Sequence, residues 1–551
     1  MPKYESPGVH VAEVSLRARS IEGVPTGTAA FVGPTRCGQV EAMPQPLHSF
    51  ADFERIYGGS EDVQLADIHA PALRLNFVAH SARAFFENGG KILYVARTVR
   101  EAASAVGMLK ESEDEAHRVS LSAPCPGAAY NGQVSLREIG LPVTLAALGA
   151  APVGSLLAVG DAAGAETLYL RGASGWADAA GAVLDLDAMG ATARLITLTV
   201  ECTAFDGTPL AWSRVGLAAA HPRWLGTVLG AQLRVDIGSA VDAFDLLAAV
   251  RAMPLVTLAG GIDGASPIAG SKNTAGSYAA ALALLAGVDG ISTVAAPGSS
   301  AWPDAAAIRA ALIDHVARPG SGRLAVLDSA PGQTPDEVRA LRATLDTSHA
   351  ALYYPWVVAA DARLLPPSGF VAGIYARNDI ERDVHKAPAN EPVRGALRFE
   401  RDIKFGELEM LNPLGVNCLR FLEGRGLRVW GARTASSDLE WRYVNVRRLM
   451  NYIEASIERG TRWAVFEPNG EKLWATVQGT ISDFLLNAWQ NGLLQGIRPQ
   501  DAFFVRCDRS TMTQNDIDNG RLVAMVGVAA VRPAEFIVLR IGQRTADTAP
   551  T

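Results

Sequence analysis

The residues best arranged to bind a small ligand lie in a glycine-rich stretch, Gly260-Gly261-Ile262-Asp263-Gly264, which follows a run typical of a strand. Glycines at such a position can bring backbone N–H groups close to a phosphate. The spacing departs from the G-x-G-x-x-G of dinucleotide sites, and Gly270-Ser271-Lys272-Asn273 lacks the order of a phosphate loop. We therefore favour a tight turn, with an α/β enzyme that binds a ligand through Asp263 as the alternative.

Signals for nucleophilic or metal chemistry are weak. The sequence has no G-x-S-x-G elbow, no C-x-x-C and no H-E-x-x-H, and its nine histidines are scattered. The odd number and wide spacing of the cysteines favour reduced, buried thiols (Cys37, Cys125, Cys202, Cys418 and Cys507). We predict no catalytic activity, no metal and no cofactor.

A basic segment near the carboxyl end carries the strongest polar pattern. Between Arg425 and Arg448 six arginines face only two acidic residues, Asp438 and Glu440. This pattern fits either a solvated basic face or a surface that binds an acidic partner, for which the planar, bidentate guanidinium is well suited. On the helix that we predict there, three apolar side chains should face inward (Trp441, Val444, Leu449) and the polar ones outward (Arg442, Asn445, and Arg447 or Arg448).

Composition limits the classes of function. The chain has 551 residues, 49% hydrophobic and 19% charged, which is typical of a folded chain of several domains. A net charge of −7 argues against a nucleic-acid-binding protein. The amino terminus has no apolar signal-peptide core, and the longest apolar run, Tyr278 to Val288, is about half of what a bilayer needs. We expect a chain that is soluble when made and does not insert into a membrane.

The fold class that we predict is a multidomain α/β and α+β protein, with discontinuous α/β core domains, a β-rich inserted domain and extended N- and C-terminal arms. Residues 23–97 and 236–391 should form a middle α/β domain, because strand-like and helix-like runs alternate there and favour a largely parallel sheet. Residues 98–235 are rich in Gly, Ala and Thr with short strand-like runs, which indicates a β-rich insertion. Residues 1–22 are predicted to be an arm and 392–551 a terminal unit.

Individual elements can also be predicted. Strands are expected at 28–33, 91–97, 255–258, 291–295, 324–327 and 350–354, and helices at 67–86, 277–285, 305–316 and 335–345. In the terminal unit a capping box of Ser437 and Glu440 should start a helix over 441–459 that Gly460 stops. A second helix is predicted over 481–494, followed by strands over 522–531 and 536–541.

Both chain ends have strand character without a nearby hairpin partner. An unpaired terminal strand exposes backbone donors and acceptors, which another copy of the chain could satisfy. We predict that strand exchange between subunits uses apolar residues of both ends (Val9, Val11, Val14, Phe536, Ile537, Val538, Leu539 and Ile541).

Many separate motifs, in order along the chain, resemble contractile tail sheath proteins of phages and related bacterial injection systems. They include Pro7-Gly8-Val9-His10-Val11, Thr28 to Gly33, Gly260 to Gly264, Leu352 to Trp356, Lys386 to Asn390, Trp430 to Thr434, Trp441 to Leu449 and Pro533-Ala534-Glu535-Phe536. The resemblance is loose over residues 98–235.

The resemblance implies a structural subunit that polymerises with itself as hexameric rings around an inner tail tube protein. It also implies contraction that drives the tube through a target envelope, and contacts with baseplate and sheath-terminator proteins. No direct contact with nucleic acid is implied, and assembly would occur in the bacterial cytoplasm, giving a virion tail or an extracellular particle. Arg442, Arg447 and Arg448 would face the tube. A non-contractile shell protein remains an alternative.

Overall fold

The computed structural model describes residues 20–160, 165–185, 193–204, 207–230 and 232–535. They form a mixed α/β, multidomain structure with three large hydrophobic cores. The first segment contributes β1 (Thr28–Gly33), α1 (Phe50–Tyr57), α2 (Phe77–Glu87) and β2 (Ile92–Arg97). The helix predicted over 67–86 is too long, because Pro71 starts a separate 3-10 turn and the Asn76 side chain caps α2 by accepting from the Ala79 N–H.

The second segment is rich in β-structure, as the sequence predicts. Its elements are β3 (Val106–Lys110), β4 (Val119–Ser122), β5 (Gly132–Pro142), α3 (Leu145–Ala150), β6 (Leu156–Gly160), β7 (Glu166–Arg171), β8 (Trp176–Ala177), β9 (Ala193–Thr203), β10 (Pro209–Val215), α4 (Leu225–Val228), β11 (Arg234–Ile237), α5 (Ala243–Ala252) and β12 (Leu255–Leu258).

The third segment alternates helices and strands. Its elements are α6 (Tyr278–Ala286), β13 (Thr293–Ala295), α7 (Ala305–Val316), β14 (Leu324–Asp328), α8 (Pro335–Ala343), β15 (Ala350–Tyr354), β16 (Val357–Ala359), β17 (Leu364–Leu365), α9 (Pro367–Arg382), β18 (Glu391–Pro392), β19 (Ala396–Phe399), α10 (Phe405–Leu414), β20 (Val416–Leu422) and β21 (Gly426–Val429).

The last described segment is mainly helical. Its elements are α11 (Val444–Thr461), α12 (Glu471–Gln490), α13 (Pro499–Ala502), β22 (Phe503–Arg506), α14 (Gln514–Asp518) and β23 (Met525–Val528). The predicted capping box is wrong, because Ser437 instead donates to Asp346 and the residue before α11 is Tyr443, which makes no side-chain cap. Gly460 does not stop the helix but lies inside it.

An eight-stranded central sheet organises the molecule, with the order β18-β21-β20-β15-β14-β13-β1-β2. The six strands from β20 to β2 are parallel, which confirms the predicted largely parallel sheet. Helices α2 and α9 pack together against it, as do α6 and α7. Strand β1 is buried along its whole length, as expected for a parallel strand covered on both faces.

The predicted domain limits do not coincide with the sheets. Strand β12 was expected in the middle domain, but it pairs antiparallel with β5 of the β-rich unit, and α5 shares that unit's core. The β-rich unit therefore continues past residue 235 to about 258. Strands β20 and β21 lie beyond residue 391, and β18 spans that limit, yet all three belong to the central sheet.

Candidate inter-subunit surface

The arginines expected to face outward from α11 are mostly buried in their own chain. Arg448 is 3% exposed and forms a bidentate ion pair with Asp379, with 2.8 Å between Nη1 and Oδ1. Its guanidinium also lies 4.7 Å from the centre of the Tyr375 ring. Burial alone would lower the pKa of Arg448, but the Asp379 carboxylate outweighs this and raises it.

Arg447 is likewise internal. Its Nε donates to Asn451 Oδ1 at 2.7 Å and Nη2 to Glu454 Oε1 at 2.9 Å, while the guanidinium lies over the Trp441 ring. Asn445, also expected outside, is 1% exposed. The predicted outward direction is therefore wrong for Asn445, Arg447 and Arg448, because α11 is packed both on the central unit and on α12. Arg442, which precedes the helix, is only partly buried.

The amino-terminal end of the described chain is fixed across α11. Ile21 is 9% exposed and packs in the core of the terminal helices. The Val24 N–H donates to Ser456 Oγ at 3.1 Å, and Arg448 Nη2 donates to the carbonyl of Thr26 at 3.0 Å. Residues 21–26 are therefore fixed in position on α11.

A small two-stranded sheet lies in the same unit. β22 and β23 pair antiparallel, from Phe503 opposite Val528 to Arg506 opposite Met525. Within the described residues neither strand pairs with a third strand, and an isolated bridge joins Leu494 to Ala530 just past β23. Two-stranded sheets are marginal alone, and open edges accept further strands.

The residues predicted to exchange between subunits lie outside the described part of the chain. These are Val9, Val11 and Val14 at one end, and Phe536, Ile537, Val538, Leu539 and Ile541 at the other. The described structure brings the starting points of both ends, residues 20–27 and 531–535, onto the α11 region through Arg448, Ser456 and Asn445.

The edge of the central sheet at which parallel α/β folds usually bind ligands is filled by protein. The chain order reverses between β1 and β13, which places the customary crevice beyond Gly33 and Ala295. There Phe77, Tyr278 and Trp302 are all less than 5% exposed, and a Cβ on Gly33 would lie 2.6 Å from Val78. Burial raises the pKa of the Tyr278 hydroxyl.

The Gly260–Gly264 turn is not an open ligand loop. Asp263 is 6% exposed, and its carboxylate accepts from the Gln64 N–H at 2.9 Å and the Ala128 N–H at 2.8 Å. These bonds join the central unit to the β-rich unit, so Asp263 is a structural residue.

Three further features of the described residues concern metal ligands, long apolar helices and cysteines. They contain no group of three or more His, Cys, Asp or Glu side chains suited to a metal ion. No helix among them has the length and apolar character to cross a bilayer. All five cysteines are free and four are buried, and burial raises the pKa of Cys37 to about 12.

The second half of the chain matches two models of known protein domains. Residues 271–435 match the model of the phage tail sheath protein central domain, and residues 436–544 that of the phage tail sheath C-terminal domain. The chain belongs to the phage tail sheath family. The limit between the two models lies a few residues after β21, where the central sheet ends.

Curated relatives are similar over part of their length. The tail sheath protein of Vibrio phage KVP40 is 25% identical over 189 residues, covering 34% of this chain and 27% of that protein. The putative prophage major tail sheath protein of Pseudomonas aeruginosa strain UCBPP-PA14 is 33% identical over 108 residues, covering 19% and 28%. The matches thus span little more than a quarter of these relatives.

Solved structures share the fold over nearly the whole chain. The sheath complex of the extracellular contractile injection system PVC, in a contracted state, gives a TM-score of 0.56 at 21% identity and 99% coverage of both chains. The sheath tail protein of Listeria innocua gives 0.54 at 12% identity, covering 93% of this chain and 97% of that one. The family is a structural one.

Two residues of the α11 region were missed as functional candidates. Asp379 neutralises Arg448 from a distant helix, and Glu535 forms an ion pair with Arg433. Glu535 lies within the Pro533–Phe536 motif, so the resemblance already pointed to it. Nothing local in the sequence marks Asp379.

Proposed function

We propose that this chain is the subunit of a contractile tail sheath, in which hexameric rings surround an inner tube and contract to drive the tube through a target envelope. The observation that carries the proposal is the sheet of β22 and β23, which has no third strand among the described residues and shares a core with Ile21, close to where the described chain begins and ends. One terminal strand from a neighbouring copy on each edge would complete a four-stranded sheet.

The free energy of such links is large enough to hold neighbouring copies together in a continuous network of exchanged strands. A backbone hydrogen bond contributes about 0.5–1.5 kcal/mol net, so four or five per added strand give several kcal/mol. Links of this kind keep copies joined while their globular faces move relative to each other. We assign the exchanged strands to residues 9–14 and 536–541.

Contraction follows if each subunit has two packings against its neighbours and the shorter, wider lattice is lower in free energy. Contacts with the inner tube and the baseplate bias the longer lattice, and loss of these contacts in one ring removes the bias for the next. We keep Arg442 as the tube-facing residue, because Arg447 and Arg448 are committed to partners within the chain. A sheath terminator would close the far end, and the assembled particle would be a virion tail or an extracellular device put together in the bacterial cytoplasm.

The test is electron microscopy of the purified full chain, before and after mild denaturant. We expect tubes or rings without any cofactor, and a second, shorter and wider form after treatment. A single unchanging lattice would instead favour a non-contractile shell protein, and a strictly monomeric chain at high concentration would contradict both.

Deletion of residues 1–14 tests the exchanged strands. We expect the truncated chain to keep its melting midpoint, because the described amino-terminal contacts begin at Ile21, and to lose polymerisation. Tubes of normal length from this variant would refute the assignment.

A further inference from the structure

The last described residues, 531–535, are held by side chains of other segments. Arg532 and Ala534 are exposed, and the other three are only partly buried. Apolar burial therefore contributes little to their position. Asn445 Nδ2 donates to the carbonyl of Val531 at 2.9 Å and to that of His385 at 2.7 Å.

The strongest contact of this segment is an ion pair at its end. Arg433 Nε donates to Glu535 Oε1 at 2.9 Å, and Arg433 Nη2 donates to Oε2. The Arg433 side chain is 5% exposed and that of Glu535 17%, and Tyr443 Oη adds a bond to Oε2 at 3.4 Å. The Glu535 carboxylate raises the pKa of Arg433. We call this pair with Tyr443 the Arg433–Glu535 clasp.

The clasp is connected directly to the central sheet. The Arg433 N–H donates to Asn417 Oδ1 at 2.7 Å, and Asn417 Nδ2 donates back to the Arg433 carbonyl at 2.7 Å. Asn417 belongs to β20, where it lies opposite Tyr353 of β15. Arg433 Nη1 also donates to the carbonyl of Asn412 at 2.9 Å. A force on Glu535 is therefore transmitted to β20 through Arg433, which is buried and whose Nε, Nη1 and Nη2 all donate hydrogen bonds.

We propose that the Arg433–Glu535 clasp is the anchor of the carboxyl-terminal segment, which fixes the direction in which residues 536–551 leave and transmits tension from a second copy of the chain into the central sheet. The proposal rests on the proposed function. Glu535 immediately precedes Phe536, so the exchanged strand begins one residue from the anchor.

Loss of the clasp would lengthen the free segment. Each residue released adds about 3.3 Å of reach, and a longer flexible link lowers the effective concentration of its end at the neighbouring copy. Arg433 and Glu535 are thus positioning residues for assembly, and they need not contact the second copy themselves.

The clasp itself is tested by a glutamate-specific endoprotease, which must bind the Glu535 side chain in order to cut before Phe536. In the wild-type chain that carboxylate is held by Arg433. Arg433→Ala should accelerate loss of residues 536–551 at least about tenfold, as expected when a charged, bidentate hydrogen bond is removed. Arg509→Ala, which frees Glu471 from an exposed pair, is the matched control and should leave the cut at Glu535 unchanged. Equal rates in wild type and Arg433→Ala would overturn the clasp.

Its role in assembly is tested by charge exchange. Arg433→Glu and Glu535→Arg should each shorten the mean polymer at least severalfold, whereas the double variant, which restores an opposite-charge pair, should recover most of the length. Normal polymers from both single variants, with wild-type chain polymerising, would refute the anchor. A wild-type chain that forms no polymer would refute the proposed function, and the protease assay would still decide whether the clasp exists. The double variant also controls for folding, because a general defect in either single would not be rescued.

Discussion

Arg448 shows how a charge that sequence patterns place on a surface can instead hold a structure together. Its partner Asp379 lies on α9, about seventy residues earlier, and the pair is enclosed by Tyr375 and the carbonyl of Thr26. The pair joins α9, α11 and the amino-terminal segment. Arg448→Glu would therefore destabilise the folded subunit itself, in addition to any effect on the proposed contact with an inner tube.

Breaking the Arg448–Asp379 pair should be costly. Arg448→Ala leaves a buried carboxylate without its cation, which typically costs about 3–5 kcal/mol. We expect this loss in the free energy of unfolding from urea denaturation, and a smaller loss in Arg448→Met combined with Asp379→Leu. The exposed pair of Arg462 and Glu458 is the control, and Arg462→Ala should change stability by no more than about 1 kcal/mol. Similar losses in both alanine variants would contradict the interpretation.

Asp328 should make stability depend on pH. Burial raises the pKa of its carboxyl from 3.8 to about 7, although the N–H and hydroxyl of Ser368 both donate to it and lower the pKa in part. Since the folded carboxyl holds its proton more tightly than the unfolded one, its contribution is full below pH 3.8 and is lost as the pH rises through about 7.

The measurement compares wild type with Asp328→Asn, which keeps the hydrogen-bonding shape without the charge. The stability of wild type relative to the variant should fall between about pH 4 and 7, by at most about 4 kcal/mol, and stay level above. A difference that is constant over this range would show that Asp328 does not titrate there.

At the scale of elements, the sequence predicts well where local pattern decides. The bounds of β1, α7 and β15 are as predicted, because apolar runs and helical spacing define them without help from distant residues. β12 is a strand as predicted but lies in the wrong sheet. Its partner, β5, is more than a hundred residues away, and nothing in a short apolar run specifies such a partner.

The start of α11 illustrates the same limit. Ser437 and Glu440 have the spacing of a capping box, yet Asp346 binds Ser437 and the helix begins seven residues later at Val444. A tertiary hydrogen bond therefore overrides a local signal. The direction of Arg447 and Arg448 could not be predicted either, because it depends on Asp379 and on packing against two units.

Two helical glycines should respond oppositely to alanine. A Cβ on Gly460 in α11 would lie 2.5 Å from Ile21 Cγ1, whereas one on Gly479 in α12 would meet nothing within 4 Å. Gly479→Ala should therefore stabilise the chain by about 0.5–1 kcal/mol through helix propensity. Gly460→Ala should destabilise it, since a forced shift of packed groups costs about 1–3 kcal/mol.

Calorimetric melting of the two variants is the measurement. Stabilisation by both substitutions would mean that Ile21 moves aside at little cost, and that the amino-terminal segment is held less firmly than its contacts indicate.

On the scale of the whole molecule, the β-rich unit has a core of its own. The cluster that includes Leu121, Val200 and Leu247 is separate from the core of the central sheet. Val106 and Ala259, at its base, exchange backbone hydrogen bonds of 2.9 and 3.0 Å. The chain therefore enters and leaves the β-rich unit on two adjacent, hydrogen-bonded segments, as it does at the end of a β-hairpin.

Replacing residues 107–258 by Asn-Gly, a pair suited to a two-residue turn, should leave a chain that folds cooperatively. The expected cost is limited to contacts at the junction, such as those of Asn131 with Gly261 and of Ala128 with Asp263. A single cooperative calorimetric transition is the readout, and residues 105–260 expressed alone should show one too. A shortened chain without a cooperative transition would mean that the two cores depend on each other.

The strand order of the central sheet also determines when each strand can find its partners during synthesis on the ribosome. β1 and β2 are both synthesised within the first hundred residues, but β13, which pairs with the other side of β1, begins at Thr293, nearly two hundred residues after β2 ends at Arg97. At about 5–20 residues per second the nascent chain waits roughly 10–40 s for that neighbour, and the β-rich unit is translated in the interval. Stalled chains that end before residue 290 should therefore leave residues 28–97 open to proteases, and chains that end well past residue 360 should protect them.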